Sequence, residues 1–187
     1  MEKIDLGEGS SLLLASAFIP AAEAYVAFTD LCSQVKWQQR PGLFGHMQPR
    51  LIASHGNEGL AYRYSGLDYA ASPWTSATWR IKQLIESVMG RYNYCLLNRY
   101  RSGSDSMGWH ADDEPELGDT IASVSLGATR KFRMRHKVTL ETRNFLLGAG
   151  SLLIMTGTTQ TFWKHELPKT KKVVGERINL TYRLIVQ

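Results

Sequence analysis

The sequence is poor in cysteine and has no long apolar run. Only 2 of its 187 residues are cysteines, Cys32 and Cys95, and neither shows the paired spacing that is typical of zinc sites or redox motifs. No stretch reaches the roughly 20 apolar residues that a membrane-spanning helix needs. The apolar segment Leu12–Ala22 follows mainly acidic residues, whereas a secretory signal carries basic residues there. We therefore expect a reduced, intracellular protein.

Acidic residues are fewer than basic ones: the sequence has 17 aspartates and glutamates and 22 lysines and arginines, which gives a net charge of +5. The basic excess is concentrated in two segments. Residues 130–143 contain six basic residues and one acid, and residues 164–177 contain five basic residues and two acids. Such patches are typical of proteins that bind a polyanion. A requirement for solubility would explain the same net charge.

Two segments in the first 91 residues have the pattern of a helix. The first helix is expected to begin at Pro20, because proline is favoured at the first helical position, and to run to about Val35. The second is expected to have Ser72 as its cap and Pro73 at its first position, and to run to about Met89. The apolar residues expected on the buried side of the second helix are Trp79, Ile81, Leu84, Ile85 and Val88.

Strand patterns dominate the chain from Tyr92 onward, where apolar and polar residues alternate in short runs. Residues 131–138 place four cations on one strand face, backed by apolar residues that include Val138. The cations either prevent edge pairing or follow a phosphate backbone. Many short strands after two helices predict a mainly β fold of the α+β class. We expect a double-stranded β-helix, or jelly roll, with the N-terminal helices packed on one sheet.

Potential metal ligands lie at the centre of the chain, in the sequence His110-Ala111-Asp112. In an extended segment, residues two apart point to the same face, so an imidazole and a carboxylate reach one ion together. A third potential ligand, His165, follows 55 residues after His110. Two histidines and one carboxylate that leave open coordination positions form the facial triad of non-haem Fe(II) oxygenases.

The segment 177–184 alternates strictly between polar and apolar residues. Arg177, Asn179, Thr181 and Arg183 share one face of the predicted strand. Because guanidinium groups pair bidentately with carboxylates, this face suggests a pocket for a small dianion. A solvated face on an edge strand is the alternative. Beside an iron triad, the dianion would be 2-oxoglutarate.

Three separated segments of the chain resemble the AlkB family of Fe(II)/2-oxoglutarate dioxygenases, and in particular its branch that acts on alkylated double-stranded DNA. They read NRYRSGSDSMGWHADDE, IASVSLGATRKFRMRHK and, after His165 and eleven further residues, RINLTYR. The resemblance extends from about Leu43 to Leu184. It implies Fe(II), 2-oxoglutarate and O2, and oxidative demethylation of bases such as 1-methyladenine or 3-methylcytosine, with release of formaldehyde.

The resemblance also implies roles for the residues that match the motifs. Fe(II) would be bound by His110, Asp112 and His165. The distal C5 carboxylate of 2-oxoglutarate would pair with Arg177, assisted by Asn98 and Tyr100. The C1 carboxylate would lie near Arg183 and Asn179, with Thr181 on the same strand face.

Further residues are expected to contact DNA. Phe44, between Leu43 and Gly45, would wedge into the duplex, or would instead fold back onto the core. Tyr64 would stack on the flipped base opposite the ring of His110, or would be a core tyrosine. The exocyclic amine of the base would lie near Glu114. The remaining contacts, to phosphates, would come from Arg135, His136, Lys137, Lys171 and Lys172; Thr170 departs from the family, whose close relatives have a cation there.

We expect one domain, 1–187, in which residues 1–91 carry nucleotide recognition and the helices, and residues 92–187 form the catalytic jelly-roll core. The expected partner is alkylated DNA, with RNA as a further substrate, and the expected form is a cytoplasmic monomer, associated with the nucleoid if bacterial. Two alternatives remain open at this point. One is an oxygenase with the same triad that acts on RNA, protein or lipid, and the other is a non-catalytic jelly-roll binding module.

Overall fold

The computed structural model describes residues 1–42, 45–64 and 67–186, without the side chains of residues 63, 64, 67 and 68. Two antiparallel sheets enclose a cavity, and two helices cover the outer side of the larger sheet. In chain order the elements are β1 (Glu2–Gly7), β2 (Ser10–Ala15), α1 (Ala21–Gln34), β3 (Leu51–Gly56), β4 (Ala61–Tyr64), β5 (Leu67–Ala70), α2 (Ser76–Glu86), β6 (Tyr94–Tyr100), β7 (Met107–His110), β8 (Ile121–Gly127), β9 (Arg130–His136), β10 (Thr142–Leu147), β11 (Leu152–Gly157), α3 (Thr159–Phe162), β12 (Trp163–Leu167) and β13 (Arg177–Arg183).

The larger sheet has the strand order β1-β2-β11-β8-β13-β6-β3, and the smaller sheet has the order β10-β9-β12-β7. β4 and β5 form a separate two-stranded ribbon. The predicted jelly roll with helices packed on one sheet is confirmed. Because β1, β2 and β3 belong to the larger sheet, that sheet draws strands from both sides of the boundary between residues 91 and 92. No helix in the described part of the chain combines the length and the apolar character that crossing a membrane would require.

Helix α1 confirms the first predicted helix to within one residue at each end. The predicted start of the second helix is wrong, because Thr75 rather than Ser72 caps it. The Thr75 hydroxyl accepts a hydrogen bond from the Thr78 backbone N–H at 3.2 Å, and the Thr78 hydroxyl accepts one from the Thr75 N–H at 3.0 Å. This reciprocal capping box satisfies two N–H groups at the start of the helix, which Ser72 and Pro73 do not.

The buried side of α2 is narrower than predicted. Ile81 and Ile85 are buried, whereas Trp79, Leu84 and Val88 are exposed. A helix that packs on a sheet through one stripe leaves the flanking apolar residues at its edges in contact with solvent.

The main core lies between the two helices and the larger sheet. Apolar residues of β6, β8 and β13 point towards the helices there, and their partners on the helices include Leu31 and Ile85. Side chains at alternate positions of the same strands point to the other face, into the cavity between the sheets. β13 pairs with β6 on one side and β8 on the other. It is therefore a central strand, and the alternative of a solvated edge strand is wrong.

The segment before β3 forms short antiparallel bridges, Gln38 with Ile52 and Pro41 with Met47. They agree with the turn-containing ribbon expected around residues 37–50. Leu43 and Phe44, at the predicted tip of this ribbon, lie outside the described residues.

Candidate metal centre and co-substrate cavity

Three side chains meet at one end of the cavity between the sheets. His110 is the last residue of β7, and His165 lies directly opposite it on β12 in the antiparallel register. Asp112 follows two residues after His110. One potential ligand atom from each of the three lies within 4.8 Å of the other two, and the two imidazole centroids are 4.2 Å apart. The structure thus brings together the triad that the sequence predicts.

The carboxylate of Asp112 is oriented by two neighbours. Its Oδ1 atom accepts a hydrogen bond from Arg183 Nη2 at 2.8 Å, and its backbone N–H donates to Gln160 Oε1 at 3.0 Å. Its buried Oδ2 atom has no hydrogen-bond partner among the described residues and lies 3.9 Å from His165 Nε2. A buried, unpaired carboxylate oxygen beside two imidazoles fits a bound cation, since burying it alone is costly.

The protonation states of the triad suit metal binding. Burial, and to a lesser extent the neighbouring His110, lower the pKa of His165 to about 3. Burial also lowers the pKa of His110. Burial opposes ionisation of Asp112, but Arg183 and the two histidines outweigh it and bring the pKa of the carboxyl to about 2. At neutral pH the site therefore offers two neutral imidazoles and one carboxylate, the forms that bind metal.

Arg177 is a buried cation at the other end of the cavity. Its Nη2 donates to Ser125 Oγ at 2.9 Å, and its guanidinium carbon lies 5.4 Å from the centroid of the Tyr100 ring. Its Nε has no partner among the described residues, and no described carboxylate pairs with it. Burial lowers the pKa of Arg177 to about 10, so the group stays charged at neutral pH. A carboxylate of the co-substrate would supply the missing anion.

The other predicted co-substrate residues line the same cavity. Asn179 Nδ2 donates to Ser123 Oγ at 2.8 Å, and the Thr181 hydroxyl donates to Asn179 Oδ1 at 3.3 Å. Asn98 Oδ1 accepts a hydrogen bond from Arg50 Nε at 2.8 Å. The cavity is lined by Asn98, Tyr100, Arg177, Asn179, Thr181 and Arg183 together with the triad. These residues fit Fe(II) and a dicarboxylate bound side by side.

Three contributors to the site escaped the sequence interpretation. Arg50 is buried and reaches Asn98 from the start of β3. Gln160, on the short helix α3, holds the backbone of Asp112. Tyr62 is fully buried, donates to Glu114 Oε2 at 2.8 Å and has the Arg183 guanidinium 5.0 Å above its ring. The sequence contains a signal for Tyr62, because alternation in the predicted strand 60–64 puts positions 62 and 64 on one face.

The structure describes some of the residues expected to contact DNA and not others. Glu114, two residues after Asp112, accepts a hydrogen bond from the Tyr62 hydroxyl at 2.8 Å. The side chain of Tyr64 and the whole of Phe44 lie outside the described residues. Both Lys171 and Lys172 are exposed in the loop between β12 and β13.

The predicted row of cations on β9 is partly engaged with other groups. The guanidinium of Arg135 lies 4.3 Å from the centroid of the Trp109 ring. Lys137 Nζ donates to Asp113 Oδ2 at 3.1 Å and to the Gln160 carbonyl at 2.8 Å. Val138 was expected to back the row but is 79% exposed, because β9 ends at His136 and the chain turns there.

Residues 11–183 match the model of the 2OG-Fe(II) oxygenase superfamily. Among curated proteins, "DNA oxidative demethylase ALKBH2" is 41% identical over 182 residues in both Bos taurus and Homo sapiens. These matches cover 88% of this chain, 66% of the bovine protein and 70% of the human protein. The bovine "Alpha-ketoglutarate-dependent dioxygenase alkB homolog 3" is 40% identical over 192 residues, which is 94% of this chain and 66% of that protein. The chain thus spans about two thirds of the length of the bovine relatives.

A search of solved structures found the same architecture. The structure of OsALKBH1 superposes with a TM-score of 0.69 at 18% sequence identity, over 96% of this chain and 100% of that one. At this identity the match supports the fold alone. The superfamily match, the relatives and the His-Asp-His triad together show that the chain belongs to the AlkB family of 2OG-Fe(II) oxygenases, enzymes that use Fe(II), 2-oxoglutarate and O2.

Proposed function

We propose that the protein is a DNA oxidative demethylase that repairs N-alkylated bases such as 1-methyladenine and 3-methylcytosine. The observation that carries the proposal is the unpaired Oδ2 of Asp112, which faces two neutral histidines in a cavity where buried Arg177 lacks an anion. The names of the relatives at about 40% identity support DNA as the substrate.

Fe(II) would be held by His110, Asp112 and His165. With 2-oxoglutarate and O2 the metal supplies the oxidising chemistry, and the overall reaction converts the N-methyl group to formaldehyde and 2-oxoglutarate to succinate and CO2. The chain contributes ligand geometry. Because Arg183 binds Asp112 Oδ1, only Oδ2 is free to face the histidines.

In this proposal the co-substrate lies along β13. Arg177, which is buried beside Tyr100, pairs with the distal carboxylate. Asn98 contributes a polar group whose orientation is set by Arg50. Arg183 and Asn179 lie near the carboxylate that chelates the metal. One strand therefore carries the residues that would bind both ends of the dianion.

The alkylated atom lies on the Watson–Crick edge of the base, so the base must leave the helical stack. We place it between Tyr64 and the ring of His110, with Glu114 near the exocyclic amine. The hydrogen bond from the Tyr62 hydroxyl fixes Glu114 Oε2 at 2.8 Å, which prepares the carboxylate for this contact. Lys171, Lys172 and Arg135 would contact phosphates of the DNA backbone.

RNA carrying the same lesions is a second substrate, because the Watson–Crick edge of the base is identical. The enzyme acts as a monomer, and one chain supplies all three triad residues. It works in the cytoplasm, on the nucleoid if the source is bacterial.

The test is to load the protein with Fe(II) and 2-oxoglutarate without oxygen, to admit oxygen, and to follow methylated oligonucleotides by mass spectrometry. We expect each lesion to lose the mass of one CH2 group, because N–CH3 becomes N–H, with succinate formed in equal amount. His110→Ala is the negative control. Succinate formed only with RNA or protein would identify an oxygenase of another substrate class. Absence of both bound iron and succinate would instead identify a binding module.

A further inference from the structure

The segment that follows His110 carries three consecutive carboxylates, and the first of them belongs to the triad. We call residues 111–114 the metal loop. They belong to no helix or strand, so no sheet ladder fixes the backbone there. The position of the ligand Asp112 must therefore come from contacts that the metal loop makes with the rest of the fold.

Each of the three carboxylates is held by a different part of the fold. Those on either side of Asp113 accept hydrogen bonds from Arg183 on β13 and from Tyr62 on β4, each at 2.8 Å. Asp113 itself pairs with Lys137, directly after β9, at 3.1 Å. The Lys137 bond thus connects the metal loop to the smaller sheet.

Lys137 makes a second contact, to the short helix α3. Its Nζ atom also donates to the Gln160 carbonyl at 2.8 Å. Because α3 spans only four residues, this carbonyl lies too close to the helix end to be satisfied within the helix. Cationic side chains can bond such terminal carbonyls. One ammonium group therefore joins α3 to the metal loop.

The side chain of Gln160 completes a ring of hydrogen bonds. Gln160 Oε1 accepts from the Asp112 backbone N–H at 3.0 Å, and Nε2 donates to Met155 Sδ at 3.4 Å. From Gln160 the ring continues through Lys137 to Asp113, which is covalently joined to the ligand. A displacement of any member changes the bonds of the others, so the ring holds the backbone of Asp112 in place.

The backbone of Lys137 is itself fixed by the turn after β9. Its N–H donates to the Phe162 carbonyl at 2.7 Å. The preceding residue, His136, is buried, and its Nδ1 accepts hydrogen bonds from the N–H groups of Val138 at 3.3 Å and Thr139 at 3.0 Å. These bonds fix the chain on both sides of Lys137, so its ammonium group extends from a defined position.

We propose that Lys137 is a positioning residue for the iron ligand Asp112. It keeps the metal loop and α3 in the relative position at which Asp112 Oδ2 faces the two histidines. Lys137 is not among the described residues that line the cavity, so it acts through Asp113 and Gln160. Groups that orient metal ligands in this way affect metal affinity without touching the ion. The proposal concerns the metal site alone and does not depend on which substrate is demethylated.

The sequence alone predicts a different role for Lys137, which is contact with a DNA phosphate. A lysine ammonium group has three N–H donors. In the structure two acceptors already engage them, and Asp113 compensates the charge. The two roles predict different results, because loss of a phosphate contact would leave metal binding unchanged.

The experiment titrates the metal-free protein with Co(II), whose visible absorption depends on its ligands, in the absence of DNA and 2-oxoglutarate. Lys137→Met should weaken Co(II) binding about fivefold, or roughly 1 kcal/mol, the upper end for a partly exposed ion pair. Removal of a nearby cation would by itself strengthen binding of a divalent cation. Weaker binding therefore reports a displaced ligand and not a changed charge.

Lys131→Met is the matched control. Lys131 is exposed on β9 opposite Leu146 and forms no salt bridge with a described residue, so its removal should leave Co(II) affinity unchanged. Lys137→Arg keeps donors for both acceptors and should retain most of the wild-type affinity. In the Gln160→Ala background, Lys137→Met should weaken binding by less than fivefold, because both substitutions release the same backbone.

A Co(II) affinity of Lys137→Met equal to or above that of the wild type would overturn the proposal. A lower melting temperature with unchanged Co(II) affinity would also overturn it, since that is the effect of an ion pair with a structural role alone. A full fivefold loss in the Gln160→Ala background would overturn the ring as the route of the effect. The titration contains no DNA, so failure of the wild-type enzyme to demethylate DNA would contradict the proposed function and not the role of Lys137.

Discussion

The co-substrate cavity and the outer face of the smaller sheet both carry cations, but the two regions use them differently. In the cavity, Arg177 and Arg183 are each 2% exposed, and their surroundings decide what they bind. Arg183 already has its anion in Asp112, while Arg177 has only Ser125 and Tyr100. On the outer face, the lysines extend into solvent, where salt screens them and their partners are interchangeable.

The charge of a side chain therefore indicates its function only when its burial is also known. A buried guanidinium without an anion is costly, so its existence indicates a ligand that completes the pair. An exposed lysine carries no such cost, and its role follows only from its neighbours. The two regions should accordingly differ in the size of mutational effects and in their response to salt.

The largest effect on activity is expected at the triad. If its residues could be substituted without loss of activity, the buried site would not differ from the exposed face. His110→Ala should reduce turnover below detection at saturating iron, because one of three protein ligands is lost. Asp112→Ala should do the same and should also lower the free energy of unfolding by about 3–5 kcal/mol, since it leaves Arg183 buried without a partner. Turnover assays test the loss of activity in both variants, and urea unfolding tests the loss of stability in Asp112→Ala.

The exposed carboxylate of Asp119 provides the matched control. Asp119→Asn should leave both turnover and unfolding unchanged, because Asp119 is exposed and its hydrogen bond is to the neighbouring Thr120 hydroxyl. Demethylation by the His110 variant would mean that the triad is wrongly assigned.

A smaller effect is expected when Arg177 is changed. Arg177→Gln should raise the apparent KM for 2-oxoglutarate at least tenfold, since a charge-assisted hydrogen bond contributes roughly 1.5–3 kcal/mol. Because the pair is buried, the ratio of mutant to wild-type KM should be the same at low and high salt. An unchanged KM would assign the distal carboxylate to another cation.

A substitution at Gln160 tests whether metal binding also depends on the residue that orients the ligand Asp112. Gln160→Ala removes the acceptor of the Asp112 N–H and should weaken Fe(II) affinity roughly tenfold, the lower end of the effects seen when groups that orient ligands are removed. Thr161→Ala, the next residue on α3 and exposed, is the control. Equal Fe(II) affinities for the two variants, measured by titration in the absence of oxygen, would contradict the role of Gln160.

The smallest effect is expected at Phe44, outside the described residues. If Phe44 is a wedge, Phe44→Ala should slow repair of a lesion in double-stranded DNA severalfold and spare the same lesion in a single strand, because only the duplex has stacking to lose. Rates on the two substrates at matched concentrations provide the measurement. Equal loss on both substrates, together with a lower melting temperature, would identify a core residue instead.

Local sequence patterns predicted most of the cavity. Strict alternation on β13 placed Arg177, Asn179, Thr181 and Arg183 on one face because the strand period is two. The spacing within His110-Ala111-Asp112 likewise placed two ligands together. These are properties of short segments, so neighbours in sequence are sufficient to find them.

The remaining parts depend on contacts between distant residues. Arg50 and Asn98 are 48 residues apart in sequence, as are Gln160 and Asp112, and neither residue type is unusual in its own segment. The start of α2 was misplaced because Ser72-Pro73 and Thr75 both satisfy the rules for a helix start, and only the Thr78 hydroxyl decides between them. The pairing of Lys137 with Asp113 was equally invisible, since it needs the turn after β9 to approach the metal loop.

The direct pairing of His110 with His165 couples metal binding to folding. The two histidines come from β7 and β12, and a shift of one residue in that register would turn one ligand to the opposite face. The unfolded chain therefore contains no preformed site, and a metal that binds only the folded state stabilises it by mass action. At a free metal concentration one hundred times the Kd, this linkage adds about 2.7 kcal/mol to the free energy of unfolding. A cell short of iron would thus hold a less stable enzyme as well as a less active one.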